Sequence, residues 1–256
     1  MSFHYLLTGR TILITGASSG IGARLTRVFS EAGARVVLGA RRTDLTEELA
    51  AELRASGREA LAVPLDVTDD ASTAAAFDAA EHTFGTVHTI IANAGIASGG
   101  RSTEIDTNAV RTVLETNLLG VYLTAREGTK RLIAGGSREA ENGRIVLIGS
   151  ITADMTGQGD AAYAASKAAV AHLGRQFARE WVRQGINVNT IQPGYIHTEL
   201  SGDWFSEEGG KAQIAGWHRR RLIGVDALDD IALYLSSDAS RFVTGATFTI
   251  DDGQSL

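Results

Sequence analysis

Thr11-Ile12-Leu13-Ile14-Thr15-Gly16-Ala17-Ser18-Ser19-Gly20-Ile21-Gly22 is the stretch from which the fold can be read. Its first five residues form a short, largely β-branched apolar run, the pattern of a strand covered on both faces. The glycines that follow let the backbone turn tightly and lie bare against whatever it meets. A helical pattern then runs over Gly20–Ala32. Its N-terminus offers unpaired N–H groups and the positive end of the helix dipole, which together suit a phosphate. The spacing is G-x-x-x-G-x-G. It differs from the G-x-G-x-x-G fingerprint and lacks the Lys-Ser/Thr of a P-loop.

Outward from this turn, short apolar runs alternate with longer helical patterns. Strands are predicted at Thr11–Thr15, Ala34–Leu38, Ala60–Val63, His88–Ala92, Arg144–Ile148, Asn187–Ile191 and Ala246–Ile250. Helices are predicted at Gly20–Ala32, Thr43–Ser56, Asp69–Phe84, Glu104–Ala134, Ala161–Gln184 and Asp226–Leu235. Such alternation predicts an α/β protein with a doubly wound (Rossmann-like) seven-stranded parallel sheet and helices on both faces. No composition break divides residues 1–256, so a single domain is expected. The polar stretch Gly135–Gly143 reads as a surface loop. Gly194–Gly224 reads as one long irregular segment, and loops of that length inside a compact domain are usually functional.

Composition narrows the chemistry. A formal net charge of −6 argues against a nucleic-acid surface, which needs a basic face. No cysteine is present, which removes disulfides, thiolate nucleophiles and zinc-finger spacings. The start, Met1 to Arg10, lacks the order of a secretory signal, and no apolar run approaches a membrane span. A soluble cytoplasmic protein is the expectation. The histidines (His4, His82, His88, His172, His197, His218) show no metal-ligand spacing, so no metal is expected. No Gly-x-Ser-x-Gly elbow supports hydrolase chemistry.

The second predicted strand runs on into Gly39-Ala40-Arg41-Arg42. An NAD site usually carries an acid about 20 positions past the glycines for the ribose 2′-hydroxyl. Here Ala40 and Arg41 stand there instead. A guanidinium fork suits the 2′-phosphate of NADP. NADP(H) is therefore the preferred reading, with NAD(H) possible. Further on, Tyr163 and Lys167 are four apart in a helical pattern and share a face. A nearby ammonium, with a positively charged oxidised nicotinamide, is expected to favour phenolate and bring Tyr163 towards a useful range. Ser150 follows the fifth strand, where side chains reach the crevice of an open sheet.

These residues resemble the short-chain dehydrogenases/reductases over nearly the whole chain. The likeness rests on Thr15-Gly16-x-x-x-Gly20-Ile21-Gly22, Asp66-Val67, Asn93-Ala94-Gly95, Asn117, Ser150, Tyr163-x-x-x-Lys167, Pro193-Gly194 with Thr198, and Thr244-Gly245 through Asp251-Asp252-Gly253. The resemblance implies a proton relay between an alcohol/carbonyl substrate and solvent. In it Tyr163 is the general acid or base and Ser150 holds the substrate oxygen. Lys167 binds the nicotinamide ribose and lowers the tyrosine pKa, and Asn117 holds a water. It also implies cofactor contacts from Gly16, Ser18, Ser19, Gly20, Ile21, Gly22, Arg41, Arg42, Asp66, Val67, Asn93, Ala94, Gly95, Tyr163, Lys167, Pro193, Gly194, Ile196 and Thr198. Two departures stand out. Asp252 replaces a common glycine, and the glycine turn carries serines where some NADP-using relatives have a base.

Two segments are expected to roof the substrate, Ile151–Gly159 with Met155, and the lid at about 194–224 with Tyr195, Trp204, Phe205 and Trp217. Their aromatics suggest hydrophobic or aryl ketones and the matching secondary alcohols. The Arg219–Arg221 run reads as a solvated or salt-bridged patch, although a substrate carboxylate could use it. The alanine-rich helix from Ala161 is apolar nearly all round, which suggests a subunit contact and, with the resemblance, a homotetramer. Two alternatives remain open at this level. One is an NAD-dependent sugar/polyol or hydroxy-acid dehydrogenase of the same fold. The other is a non-catalytic dinucleotide-binding regulator.

Overall fold

The structure, a computed structural model, describes residues 7–157 and 159–256. His4, and Gln158 within the expected roof segment, lie outside the described residues. The elements run in the order β1 Thr11–Thr15, α1 Gly20–Glu31, β2 Arg35–Ala40, α2 Thr43–Ala55, β3 Ala60–Pro64, α3 Asp70–Phe84 and β4 Thr89–Ala92. Next come α4 Thr107–Leu114, α5 Gly120–Ala134, α6 Ser137–Ala140, β5 Gly143–Ile148, α7 Ala161–Trp181 and β6 Ile186–Pro193. The last are α8 Glu208–Gly216, α9 Asp229–Ser236 and β7 Thr247–Ile250.

All seven strands lie parallel in one sheet, ordered β3-β2-β1-β4-β5-β6-β7. Successive side chains of a strand face opposite ways. Leu13 therefore enters one core, where α3, α5 and α7 supply Phe77, Val121, Ala125, Val170 and Phe177. Ile12 and Ile14 enter the other, with Leu25, Phe29, Leu49, Leu53 and Leu235 from α1, α2 and α9. Helices thus cover both faces, as the doubly wound reading requires. The strand order reverses between β1 and β4, and at such a point the turns beyond the strand ends part to leave a crevice.

The largest difference from the sequence reading concerns the helix expected over Glu104–Ala134. It begins at Thr107 and is split by a π-helical turn, Glu115–Leu119. There the Gly120 N–H bonds to the Glu115 carbonyl, one residue further back than in an α-helix. Periodicity over a long window does not register one inserted residue, yet this turn carries Asn117. Similarly, Gly135–Gly143 is not a simple loop. It holds α6, buries Ser137, and Ser137 Oγ donates to Gln184 O at 2.7 Å. Within the supposedly irregular Gly194–Gly224, short 3-10 turns at Glu199–Ser201 and Trp204–Ser206 precede α8. Glycines at 209, 210 and 216 had masked that helix, because glycine is a poor helix former.

The C-terminal departure also has a physical account. Asp252 sits in the left-handed region at φ 55°, where glycine is the usual choice. Its carboxylate accepts from Arg221 Nε at 2.7 Å and pairs with Arg219 Nη1 at 3.0 Å. Arg219 and Arg221 of the arginine run are therefore engaged in ion pairs. Beside it, Gln254 accepts from the Tyr195 N–H at 2.6 Å and donates to the Tyr195 and Arg221 carbonyls at 3.4 and 3.2 Å.

Candidate active site

Along the open edge of the sheet runs a cavity of about 1140 Å³. Its construction starts at the switch point. Thr15 Oγ1, at the end of β1, accepts from the N–H groups of Asn93 and Ala94, both at 3.0 Å. Asn93 Nδ2 returns donations to the carbonyls of Thr15 and Gly16 at 2.9 and 3.2 Å. Turn and loop are pressed together so closely that a methyl group on Gly22 would lie 2.7 Å from Asn93 Nδ2. One on Gly16 would lie 2.9 Å from Ala94 Cα. The helix behind this turn starts at Ser19, whose hydroxyl makes no capping bond, and its first turn contains no acid. Bare backbone, uncapped N–H groups and the absence of a repelling carboxylate in that turn fit a dinucleotide diphosphate.

At the β5 end of the cavity stand Ser150, Tyr163 and Lys167. Ser150 Oγ accepts from Thr152 N at 3.2 Å and Thr152 Oγ1 at 3.0 Å. With both lone pairs engaged, its own hydrogen is left for Tyr163 or a substrate oxygen. Buried Thr152 therefore aims the serine, a role that no motif announced. Lys167 is only 3% exposed, and its Nζ donates to Ile148 O at the end of β5 at 2.9 Å. Its Nζ lies 5.6 Å from the centre of the Tyr163 ring.

Burial sets the electrostatics of the chain without cofactor. Burial pushes Tyr163 up to about 12, against the lowering effect of the Ser150 hydrogen bond. Burial also pushes Lys167 down to about 8. In the chain itself, desolvation outweighs any pull of the ammonium on the phenol, because both charged forms have lost water. The phenol consequently holds its proton through neutral pH, the form a proton donor needs. Lys167 lies within reach of exchange near neutrality.

Asn117 lies fully buried in the π-turn and does not line the cavity. Its Oδ1 accepts from the Ile96 N–H at 2.8 Å, and its Nδ2 donates to Ile96 O at 2.9 Å and Ser166 Oγ at 3.2 Å. That side chain is committed to fastening the loop after β4.

Of the other predicted residues, Gly16, Ser18, Ser19, Gly20, Ile21, Arg41, Arg42, Asp66, Val67, Asn93, Ala94, Gly95, Pro193, Gly194, Ile196 and Thr198 line the cavity. So do Tyr195, Trp204 and Phe205. Gly22 lies behind the turn, and Met155 is outside the lining. Trp217 is also outside it, stacked on Tyr195 with ring centres 5.3 Å apart, so it supports the wall without forming it. Sequence reasoning missed Asp160, Glu199 and Gln213, which do line the cavity. Asp160 precedes α7 where an acid reads as a helix cap, yet its side chain makes no capping bond. Its charge instead acts on Tyr163 and Tyr195, raising both phenols. Gln213 Oε1 accepts from Trp204 Nε1 at 2.9 Å, tying α8 to the lid aromatics. Among the described residues, no group of three or more potential ligands could hold a metal ion, and no helix is long and apolar enough to cross a membrane.

Comparison with known proteins agrees with this geometry. A family model described as short chain dehydrogenase matches residues 10–209. The chain is 37% identical to a cis-4-hydroxycyclohexanecarboxylate dehydrogenase from Sinomonas cyclohexanicum, over 95% of this chain and 96% of that protein. It superposes on a gluconate 5-dehydrogenase from Burkholderia cenocepacia, solved with NADP and tartrate. That match has a TM-score of 0.92 and 32% identity, covering 98% and 97% of the two chains. An NADPH-dependent 3-quinuclidinone reductase from Rhodotorula rubra gives a TM-score of 0.89 and 32% identity, covering 98% and 93%.

The buried lysine has a measurable cost. Its pKa falls from 10.5 unfolded to about 8 folded, so between those values the unfolded chain binds more protons and stability rises with pH. At pH 7 the Lys167→Met protein is expected to be more stable than the wild type by roughly 1–3 kcal/mol, and the gap should close towards pH 10.5. Thermal unfolding of both proteins across this range is the measurement. A gap independent of pH would contradict the assignment.

Proposed function

The chain belongs to the short-chain dehydrogenase family, a family of oxidoreductases that act on alcohols and carbonyl compounds with a nicotinamide dinucleotide, and we propose that it is an NADP(H)-preferring carbonyl reductase and secondary-alcohol dehydrogenase for uncharged hydrophobic or aryl ketones. The observation that carries this reading is the meeting, in one cleft, of a bare glycine turn, two guanidinium groups and the Ser150–Tyr163–Lys167 set.

Bound nicotinamide supplies or accepts the hydride. The protein's part is to hold the reacting oxygen and move a proton. In reduction the substrate oxygen accepts from the Ser150 hydroxyl and from the Tyr163 phenol. As charge grows on that oxygen, the phenol gives up its proton, and the reverse transfer serves oxidation. Lys167 holds the cofactor ribose and supplies a proton back to Tyr163. Asn117 keeps the loop after β4 against this group, and any water that joins Lys167 to solvent would be held by backbone of the π-turn.

The NADP preference is supported by Ala40 at the place of the usual acid, by Arg41 and Arg42 in the lining, and by the NADP and NADPH named for the two similar structures. The substrate class is supported by the other end of the cavity, where Ile96, Ile151, Leu200, Tyr195, Trp204 and Phe205 form the walls. The carboxylate there is Asp160. Apart from Lys167, the cations lining the cavity among the described residues are Arg41 and Arg42, at the β2 end. Arg219 and Arg221 are held by Asp252 outside it. A keto acid would therefore meet repulsion where a neutral ketone meets apolar surface, even though two of the similar proteins are named for carboxylate compounds. The segment at about 194–224 acts as the lid, with Trp204 at its rim, 46% exposed before substrate covers it. Assembly as a homotetramer is supported by Leu114, Leu119 and Tyr122, each more than a third exposed, beside exposed Ala161, Ala165 and Ala168 of α7.

Three measurements test this reading. Tyr163→Phe keeps the ring but loses the proton. Its turnover should fall by about 10²–10⁴-fold while cofactor binding persists, and near-normal turnover would remove the relay. Second, kcat/KM for an aryl alkyl ketone should exceed that for a size-matched keto acid, with Asp160→Asn narrowing the difference and Trp204→Ala lowering the aryl-ketone value. A preference for the keto acid in the wild type would refute the apolar pocket. Third, sedimentation should detect a tetramer at micromolar concentration, and a stable monomer would contradict the assembly.

A further inference from the structure

The two arginines after β2 are not equivalent. A guanidinium has five N–H donors, one on Nε and two on each Nη. Arg42 Nε donates to Ser18 Oγ at 3.2 Å. Its Nη2 is shared among Ser18 Oγ at 3.0 Å, Ser19 Oγ at 2.7 Å and Glu199 Oε2 at 2.9 Å. Only Nη1 remains uncommitted. Arg41 makes no hydrogen bond or ion pair among the described residues, and its recorded electrostatic effect is on Asp66. Arg41 lines the cleft, and its donors are uncommitted among the described residues.

Glu199 reaches this cluster from the other side. It follows Thr198 at the start of the lid, and the Thr198 side chain would stand 3.5 Å from a methyl group built on Gly20. The lid thus abuts the glycine turn, and the Glu199 carboxylate falls on Arg42 as an anion supplied by the chain. The cofactor's 2′-phosphate, close to doubly charged at neutral pH, needs the same donors. With Asp66 near Arg41 and Glu199 on Arg42, each positive charge of the pair already faces a negative one.

We propose that Glu199 is a specificity-determining residue that occupies Arg42 in place of the 2′-phosphate, leaves Arg41 to read that group, and so weakens the preference for NADP(H) over NAD(H). This rests on the reading above that the cleft takes NADP(H). The Arg42 and Glu199 side chains are 49% and 60% exposed, so the competition is modest. Removing the charge should strengthen binding of the 2′-phosphate by roughly two- to fivefold.

The probes are adenosine 2′,5′-bisphosphate and 5′-AMP, titrated calorimetrically into the wild type, Glu199→Gln, Glu199→Ala and Arg41→Ala. Both Glu199 variants should bind the bisphosphate more tightly and move 5′-AMP by less, with the gain shrinking as salt is raised. Their NADPH/NADH ratio in kcat/KM should rise by a similar factor. Arg41→Ala should lose most of the discrimination between the two probes. Unchanged or weaker bisphosphate binding in both Glu199 variants would overturn the proposal, since the carboxylate would then be neutral or supportive. Discrimination that survives in Arg41→Ala would also overturn it. The NADP reading itself fails separately, if the wild type binds both probes equally and prefers NADH.

Discussion

Where β1 and β4 part, the turn after one strand lies directly on the loop after the other, with no space for a side-chain carbon at Gly16 or Gly22. Much of the site depends on that contact. It sets the direction in which α1 leaves the turn, and hence where its unpaired N–H groups face. It lets the Thr15 hydroxyl reach the Asn93 and Ala94 backbone, which fixes the second loop to the first strand. That loop is then gripped from its far side by Asn117, whose position follows from the π-turn. A chain of short backbone contacts thus connects the phosphate end of the cleft to the residues around Lys167. A larger residue at either glycine would move several parts of the cleft together.

Tyr163 and Lys167 show the opposing demand. A phenol and an ammonium are withdrawn from water at the end of β5, and each is shifted towards its neutral form. For stability that arrangement is a loss. For chemistry it separates two pKa values that ordinarily lie close together, keeping the phenol protonated while bringing the lysine towards neutrality. Ser150, oriented by Thr152, and the Ile148 carbonyl, which accepts from Lys167, keep the groups in place without supplying a compensating carboxylate.

The residues that sequence reasoning reached are those whose chemistry is local. A β-branched run, a glycine turn and two side chains four apart on a helix are properties of short windows. They sufficed for the sheet and for residues that the fold brings into one cleft, the glycine turn with Ser150, Tyr163 and Lys167. What was missed depends on tertiary neighbours. Asp160 sits where acids ordinarily cap helices, and only the absence of a capping bond reveals its other orientation. Glu199 acquires a role because the lid folds back over the glycine turn to Arg42. Asn117 was recognised, but its partners depend on a one-residue irregularity that a helical period conceals. Met155 lies outside the cavity lining, and Trp217 meets the cavity wall through Tyr195, on which it stacks.

Gln254 has a consequence for the order in which the protein matures. Because its side chain holds the backbone of Tyr195, one wall of the cavity is fastened by a residue about 60 positions further along the chain. The glycine turn, the serine and the tyrosine–lysine pair are all synthesised well before it. Folding domains begin to form during synthesis from the N-terminal side. A nascent chain can therefore gather the glycine-turn half of the cavity early, while the Tyr195 wall waits for the segment around Gln254 to dock.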